Sequence, residues 1–293
     1  MRVLALLLCA CAASTLNWSE PAPAAPAKAA TTAEQRLGHL TIRSVGTGPA
    51  VVLIPGLGSS TAVYDDLAAK IGGKHRLILV QVNGFAGAPA AASTDNLIPG
   101  AVDELAAWLK ANKVERPAVI GHSMGGLMGM MLASKYPAAT GKLMIVDALP
   151  FYGMLFGLSA TPDTVRPVVE QMRAGLVGGT APLDPPPHMS NSDAGKAKVA
   201  AWLRASDRKT VGEALVEDAT TDVRADLPKL VNLPVTVVYA VSSPERKAMT
   251  DGLYREAYKA LPKATLVGVS DSDHFVMLDQ PAAFTAAVET FLK

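Results

Sequence analysis

Six consecutive residues constrain the fold of this chain more than any others: Gly121-His122-Ser123-Met124-Gly125-Gly126. They follow the β-branched run Pro117-Ala118-Val119-Ile120 and precede a helix-like stretch from Leu127 to Tyr136. A buried strand therefore runs into a one-residue turn carrying a serine, and a helix leaves on the far side. Only glycine tolerates the close backbone approach flanking such a turn, so Gly121 and Gly125 fit the G-x-S-x-G nucleophile elbow. The turn lifts the hydroxyl above the sheet edge and aims a helix N-terminus at it. There the N–H groups and the helix dipole favour a developing negative charge. A bare G-x-S-x-G is common in an Ala- and Gly-rich chain; the flanking strand and helix give it weight.

With 293 residues, the chain fits one large α/β domain with an insertion, or at most two domains. A formal net charge of +1 without blocks of like charge points away from a nucleic-acid surface or an electrostatic membrane patch. The N-terminus differs in character. Met1-Arg2 leads into Val3–Ala13, an apolar run of about 11 residues that is too short to span a bilayer and has the proportions of a secretory signal. A Pro/Ala tract from Pro21 to Ala30 then reads as an extended linker. These features predict a secreted or periplasmic protein with no transmembrane helix in its mature form. Leu8-Cys9-Ala10-Cys11 loosely matches a lipoprotein cleavage box, and cleavage there would leave a lipid anchor on Cys11; Cys9 is unusual in that box. Both cysteines lie in the apolar run, so neither disulfide, zinc site nor thiol nucleophile is expected in the folded part.

Strands are predicted at Leu40–Val45, Val51–Pro55, Arg76–Val82, Ala118–Ile120, Lys142–Val146, Val235–Ala240 and Thr265–Val269. Most are unbroken apolar runs, as parallel strands buried on both faces should be. Helical spacing of Val102, Leu105, Ala106 and Leu109 predicts an intervening helix, capped by Thr94 or Asp95 with Pro99 in its first turn. Further helices are expected from Met249 to Leu261 and from Pro281 to Phe291. Between Pro150 and Asp226 the alternation stops. Prolines, Gly178-Gly179 and helical stretches at Val165–Leu176 and Ala194–Ala205 predict a helical insertion suited to a lid. Strand–helix alternation elsewhere predicts an α/β fold, a mostly parallel central sheet flanked by helices.

Four motifs in order resemble those of the α/β-hydrolase superfamily, over roughly residues 37–293. Val51 to Gly58 looks like the strand and turn carrying the first oxyanion donor. Gln81-Val82-Asn83-Gly84-Phe85-Ala86-Gly87 looks like the D-x-x-G-F-G loop, with Gln81 replacing the Asp. The third is the elbow, and the fourth is Asp273-His274-Phe275 with Leu278-Asp279-Gln280-Pro281, which looks like the catalytic-histidine loop. With this resemblance the chain divides into a core from 31–149 and 227–293 and a lid from 150–226, beside the signal and linker that composition assigns to residues 1–30. It also implies the lid-bearing, esterase- or lipase-like subset.

A serine hydroxyl needs a base within hydrogen-bond reach to attack near neutral pH. Of the five histidines, His39 and His75 lie at strand starts, His188 follows a proline run, and His122 must point opposite to Ser123. His274 stands where the superfamily keeps its base. The oxyanion donors implied are the backbone N–H groups of Leu57 and Met124. The acid departs from the common pattern. Relatives place an Asp soon after Val235–Ala240, where this chain reads Val241-Ser242-Ser243-Pro244-Glu245, with no Asp before Asp251. Haloalkane dehalogenases are among the members that carry the acid one strand earlier, where this chain has Asp147. Asp147 is therefore favoured, with Glu245 as the alternative, then Asp251 or no acid. A structural role for Asp147, bonding loop amides, is the competing reading.

The function expected is hydrolysis of a small-molecule, ester-like substrate through an acyl-enzyme on Ser123, without cofactor or metal. Thioester, lactone or carbon–carbon bond hydrolysis would use the same groups. Dehalogenase and epoxide-hydrolase chemistry is disfavoured because those relatives need an Asp at the elbow. A non-catalytic binding protein of the same fold is favoured only by the missing Asp after Val235–Ala240. Phe151 to Phe156 suits a pocket wall, a lid-to-core contact or a lipid-facing surface. Met128, Met130, Met131, Met154 and Phe156 would make a pocket apolar and adaptable.

Overall fold

A computed structural model describes residues 34–293; the signal-like run, the Pro/Ala tract and Cys11 lie outside the described residues. In chain order the elements are β1 (Gln35–Arg36), β2 (Leu40–Val45), β3 (Ala50–Ile54), α1 (Asp65–Ile71), β4 (Arg76–Val82), α2 (Leu97–Ala111), β5 (Ala118–His122), α3 (Met124–Lys135) and β6 (Lys142–Val146). Three helices then intervene: α4 (Pro162–Val177), α5 (Asp193–Arg204) and α6 (Arg208–Thr220). The chain returns to the sheet with β7 (Val235–Val241), α7 (Lys247–Ala257), β8 (Thr265–Ser270), α8 (Val276–Asp279) and α9 (Pro281–Leu292).

The eight strands form one sheet in the order β1-β2-β4-β3-β5-β6-β7-β8. Strands β1 and β2 are antiparallel to their neighbours, and the pairs from β4 to β8 are parallel. Burial explains the unbroken apolar runs. In β3, Val52 and Ile54 join one core cluster and Val51 and Leu53 the other; β6 divides Leu143 and Ile145 from Met144 and Val146 in the same way. Both faces of the sheet are covered by helices, so the buried positions 51–54 and 143–146 of these strands are all apolar. The strand order reverses between β3 and β5, and the carboxyl ends at such a reversal leave a crevice in open α/β sheets.

The observed helices correct the expected ones in three places. Neither Thr94 nor Asp95 caps α2. Asn96 holds the N-cap position in a left-handed conformation without a side-chain cap. The Glu217 carboxylate instead accepts from the first two helical N–H groups, Leu97 (3.0 Å) and Ile98 (2.6 Å). This cap lies 120 residues away and leaves no local pattern to read. Helix α7 begins before Met249 and ends at Ala257, short of Leu261. The inserted segment holds a third helix, α6, that its mixed composition does not announce.

Candidate active site

The elbow forms as its sequence requires. Ser123 sits between β5 and α3 at φ 53°, ψ −124°, a conformation a non-glycine residue holds only against steric cost, of order 1–3 kcal/mol. A Cβ on Gly121 would collide with the Gly125 carbonyl, and one on Gly125 with that of Ile54. Both positions are therefore closed to any side chain. The Ser123 N–H donates to the Val146 carbonyl (2.9 Å), tying the elbow to the end of β6. The turn after β3 also packs tightly against the elbow, since a Cβ on Gly56 would lie 2.9 Å from the Ser123 Cβ. That proximity brings the Leu57 backbone beside the serine, while Met124 supplies the first N–H of α3, which has no acceptor within its own helix. Gln81 braces the β3 turn, accepting from the Thr61 N–H (3.0 Å) and donating to the Ser59 carbonyl (3.0 Å).

His274 and Asp147 meet. His274 Nδ1 lies 2.7 Å from Asp147 Oδ2. Asp147 itself directly follows β6 at φ 45°, and its Oδ1 accepts from the Ala240 N–H (2.9 Å) and the Tyr254 hydroxyl (2.9 Å). Burial pushes its carboxyl up. The His274 hydrogen bond and charge, with the Ala240 and Tyr254 donors, outweigh burial and hold it below the ordinary carboxylate range. A depressed pKa in the folded state means that this contribution to stability is complete above the unfolded value of about 3.9 and is lost as pH falls through the folded one. Tyr254 stacks against Tyr239 at 4.2 Å, which fixes its ring. Tyr254→Phe is expected to lower kcat about tenfold with KM within about threefold, the value of one hydrogen bond to a charged group; steady-state kinetics on any turned-over ester reads it.

His122 does more than point away from Ser123. It is fully buried, and burial, aided by the nearby His274 charge, pushes its pKa down to about 3. The ring is therefore neutral. Its Nε2 lies 3.0 Å from the His274 carbonyl, so the proton sits on Nε2 and the ring pins the backbone of the histidine loop. The ring centroids of His122 and His274 are 4.6 Å apart, which sets His274 beside the elbow. From above, the inserted segment holds the same loop: Phe275 N–H donates to the Met189 carbonyl (2.8 Å), and Asp279 accepts from Ser190, Asn191 and Asp273.

The other expected carboxylates lie elsewhere. Glu245 is exposed in a short 3-10 turn, and a hydrogen bond from Ser243 is the main influence holding its pKa down. Asp251 accepts from Tyr239 (2.8 Å) and Lys247 (2.8 Å). The structure thus brings Asp147, and neither Glu245 nor Asp251, to His274. His39 pairs with Glu104 (2.8 Å), and His188 stands exposed near Asp273 at 3.9 Å. The apolar wall also differs from expectation. Met128, Met130 and Met154 are buried in the core, and Phe156, 58% exposed, lines a cavity within the insertion together with Val165 and Val168.

Helix α6 crosses this edge of the sheet. At its start Asp207 N–H donates to the Gly84 carbonyl (2.7 Å), and Ser206 Oγ accepts from Ala86 N–H (2.8 Å). Just beyond its end, Val223 N–H donates to the Pro150 carbonyl (2.9 Å). The helix therefore reaches from the loop after β4 to the segment after β6, over the end of β5. Sequence reasoning missed one residue here. Asp218, in the last turn of α6, is half-buried and makes no hydrogen bond or ion pair among the described residues. Burial pushes its carboxyl up to about 7, with the charge of nearby His274 pulling the other way. A carboxyl raised from about 3.9 when unfolded costs stability progressively as pH climbs from about 4 to 7, and that cost is complete above. Asp218→Asn is expected to raise Tm most above pH 7, by an amount that shrinks towards pH 4; thermal scans across that range read it.

Among the described residues no helix is long and apolar enough to cross a membrane. The chain is 30% identical over 263 residues to polyketide synthase ThaQ of Burkholderia thailandensis, covering 84% of this chain and 12% of that protein. It is 29% identical over 113 residues to the pimeloyl-[acyl-carrier protein] methyl ester esterase of Aeromonas hydrophila, covering 39% and 43%. The match thus spans less than half the length of either relative. A thermophilic esterase from Thermogutta terrifontis shares the fold at a TM-score of 0.70 and 19% identity, over 89% of this chain and 98% of that one. The profile of the alpha/beta hydrolase family matches residues 51–288, and with this sheet, elbow and strand order the chain belongs to that family.

Proposed function

We propose that this chain is a serine hydrolase of carboxylic esters. The carboxylate–imidazole contact between Asp147 and His274, at 2.7 Å beside the Ser123 bend, carries the reading. Asp147 holds His274 with the proton on Nδ1, which leaves Nε2 bare to take the Ser123 hydroxyl proton. The serine oxygen then bonds to the ester carbonyl carbon. The carbonyl electrons move onto oxygen, facing the N–H groups of Leu57 and Met124. Collapse expels the alkoxide, which takes the proton from His274, and leaves an acyl-serine. Water, deprotonated by the same imidazole, repeats the sequence and releases the acid. Helices α4 to α6 serve as the lid. The basic start and apolar run at residues 1–13 support export of the chain.

Hydrolysis of a p-nitrophenyl ester series of rising acyl length tests the reading. Turnover by the wild-type chain and its loss in Ser123→Ala support it. Equal rates in both, or no turnover at any length, count against it.

A further inference from the structure

Asp218 is an anomaly that the triad chemistry does not use. It lies on the helix crossing the site, close enough for the charge of His274 to reach it, and close enough to affect Tyr152 of the segment after β6. Its direction is fixed from the adjacent position. Glu217 is clamped onto the N-terminus of α2 by two hydrogen bonds, and one residue further along a helix turns the side chain by about 100°. Asp218 is turned off the α2 side and shares the inward face of α6 with buried Val211 and Ala214, seven and four residues before it. A half-buried carboxyl with neither hydrogen bond nor counter-ion among the described residues is costly to ionise and favours a partner from outside. Two features say what that partner is. The last turn of α6 contains no basic side chain, and the free carbonyls of a helix C-terminus add negative potential of their own. Both favour a cation and disfavour an anion.

We propose that Asp218 is a specificity residue, and that the preferred substrates are esters carrying an ammonium group that sits against its carboxylate beneath α6. This rests on the serine-hydrolase reading and goes beyond it by naming the substrate class. The ammonium would supply the missing counter-charge, and it would stabilise the ionised form of a carboxyl that burial otherwise keeps half-protonated near neutrality. Anionic esters would meet unrelieved repulsion at the same place.

Two isosteric pairs measured at pH 8 test it on either side of the scissile bond. Butyrylthiocholine against 3,3-dimethylbutyl thiobutyrate places the charge in the leaving group. The p-nitrophenyl esters of 4-(trimethylammonio)butyrate and 5,5-dimethylhexanoate place it in the acyl group. The wild-type chain is expected to favour the cationic member of at least one pair by about tenfold or more in kcat/KM, since each tenfold is worth about 1.4 kcal/mol. In Asp218→Asn that ratio is expected to fall to about 1, and in Asp218→Glu to stay above 1, whatever happens to the neutral ester. The wild-type ratios stand whether or not a variant folds. Ratios of 1 or below in both pairs, with the neutral esters turned over, overturn the proposal and leave the hydrolase reading intact. A ratio that survives in Asp218→Asn also overturns it. Failure to turn over any of the four esters, with no fluorophosphonate adduct on Ser123, removes the hydrolase reading and the proposal together.

Discussion

Asp147→Asn is expected to lower kcat by about 10⁴-fold while the protein stays folded. The backbone tolerates the change, because asparagine accepts the positive φ that position 147 requires, 45°. The amide oxygen can keep the bonds that Ala240 N–H and the Tyr254 hydroxyl donate to Oδ1. Its NH₂ then faces His274 Nδ1, which must present a lone pair and shift its proton to Nε2. An imidazole protonated on Nε2 cannot accept from Ser123. Glu245→Gln, at an exposed residue, is expected to stay within about twofold, as surface changes do. Initial rates on a short-chain ester decide between them. Wild-type activity in Asp147→Asn, with collapse in Glu245→Gln, would show that the acid lies after β7.

Ser123→Ala is expected to cost still more, about 10⁶-fold in kcat, leaving only what substrate binding and oxyanion donors provide. Alanine keeps a Cβ at φ 53°, so the strain of the elbow remains. Ser123→Gly should be equally inactive yet melt at a higher temperature, because glycine adopts that conformation freely. A strained inactive variant and a relaxed one together separate the chemical role of the residue from its structural cost. Burst and steady-state kinetics give the first quantity and thermal unfolding the second.

What was legible in the sequence was what depends on local pattern. The strands Leu40–Val45, Arg76–Val82 and Lys142–Val146 occur with the expected bounds: burial on both faces makes 77–80 and 143–146 unbroken apolar runs, and Leu40, Ile42 and Ser44 alternate as the buried side of β2. The elbow was legible because two close backbone approaches admit only glycine at 121 and 125. The pairing of a carboxylate with His274 depends instead on which strand ends lie side by side. Asp147 and Glu245 could therefore be ranked from the sequence but not separated. The cap that Glu217 places on α2 and the brace from His122 to the His274 carbonyl span 120 and 152 residues. Contacts that distant leave no local signal. Asp218 was missed for the same reason: a single acid in a mixed helix reads as a solvated face until the fold lays that helix over the site.

Labelling with a fluorophosphonate, followed by intact mass and peptide mapping, addresses the nucleophile most directly. The expected result is one adduct per chain, on Ser123, absent in Ser123→Ala and strongly slowed in His274→Ala. Labelling at a different residue, or none under conditions where the protein is folded, would contradict a serine activated at this bend.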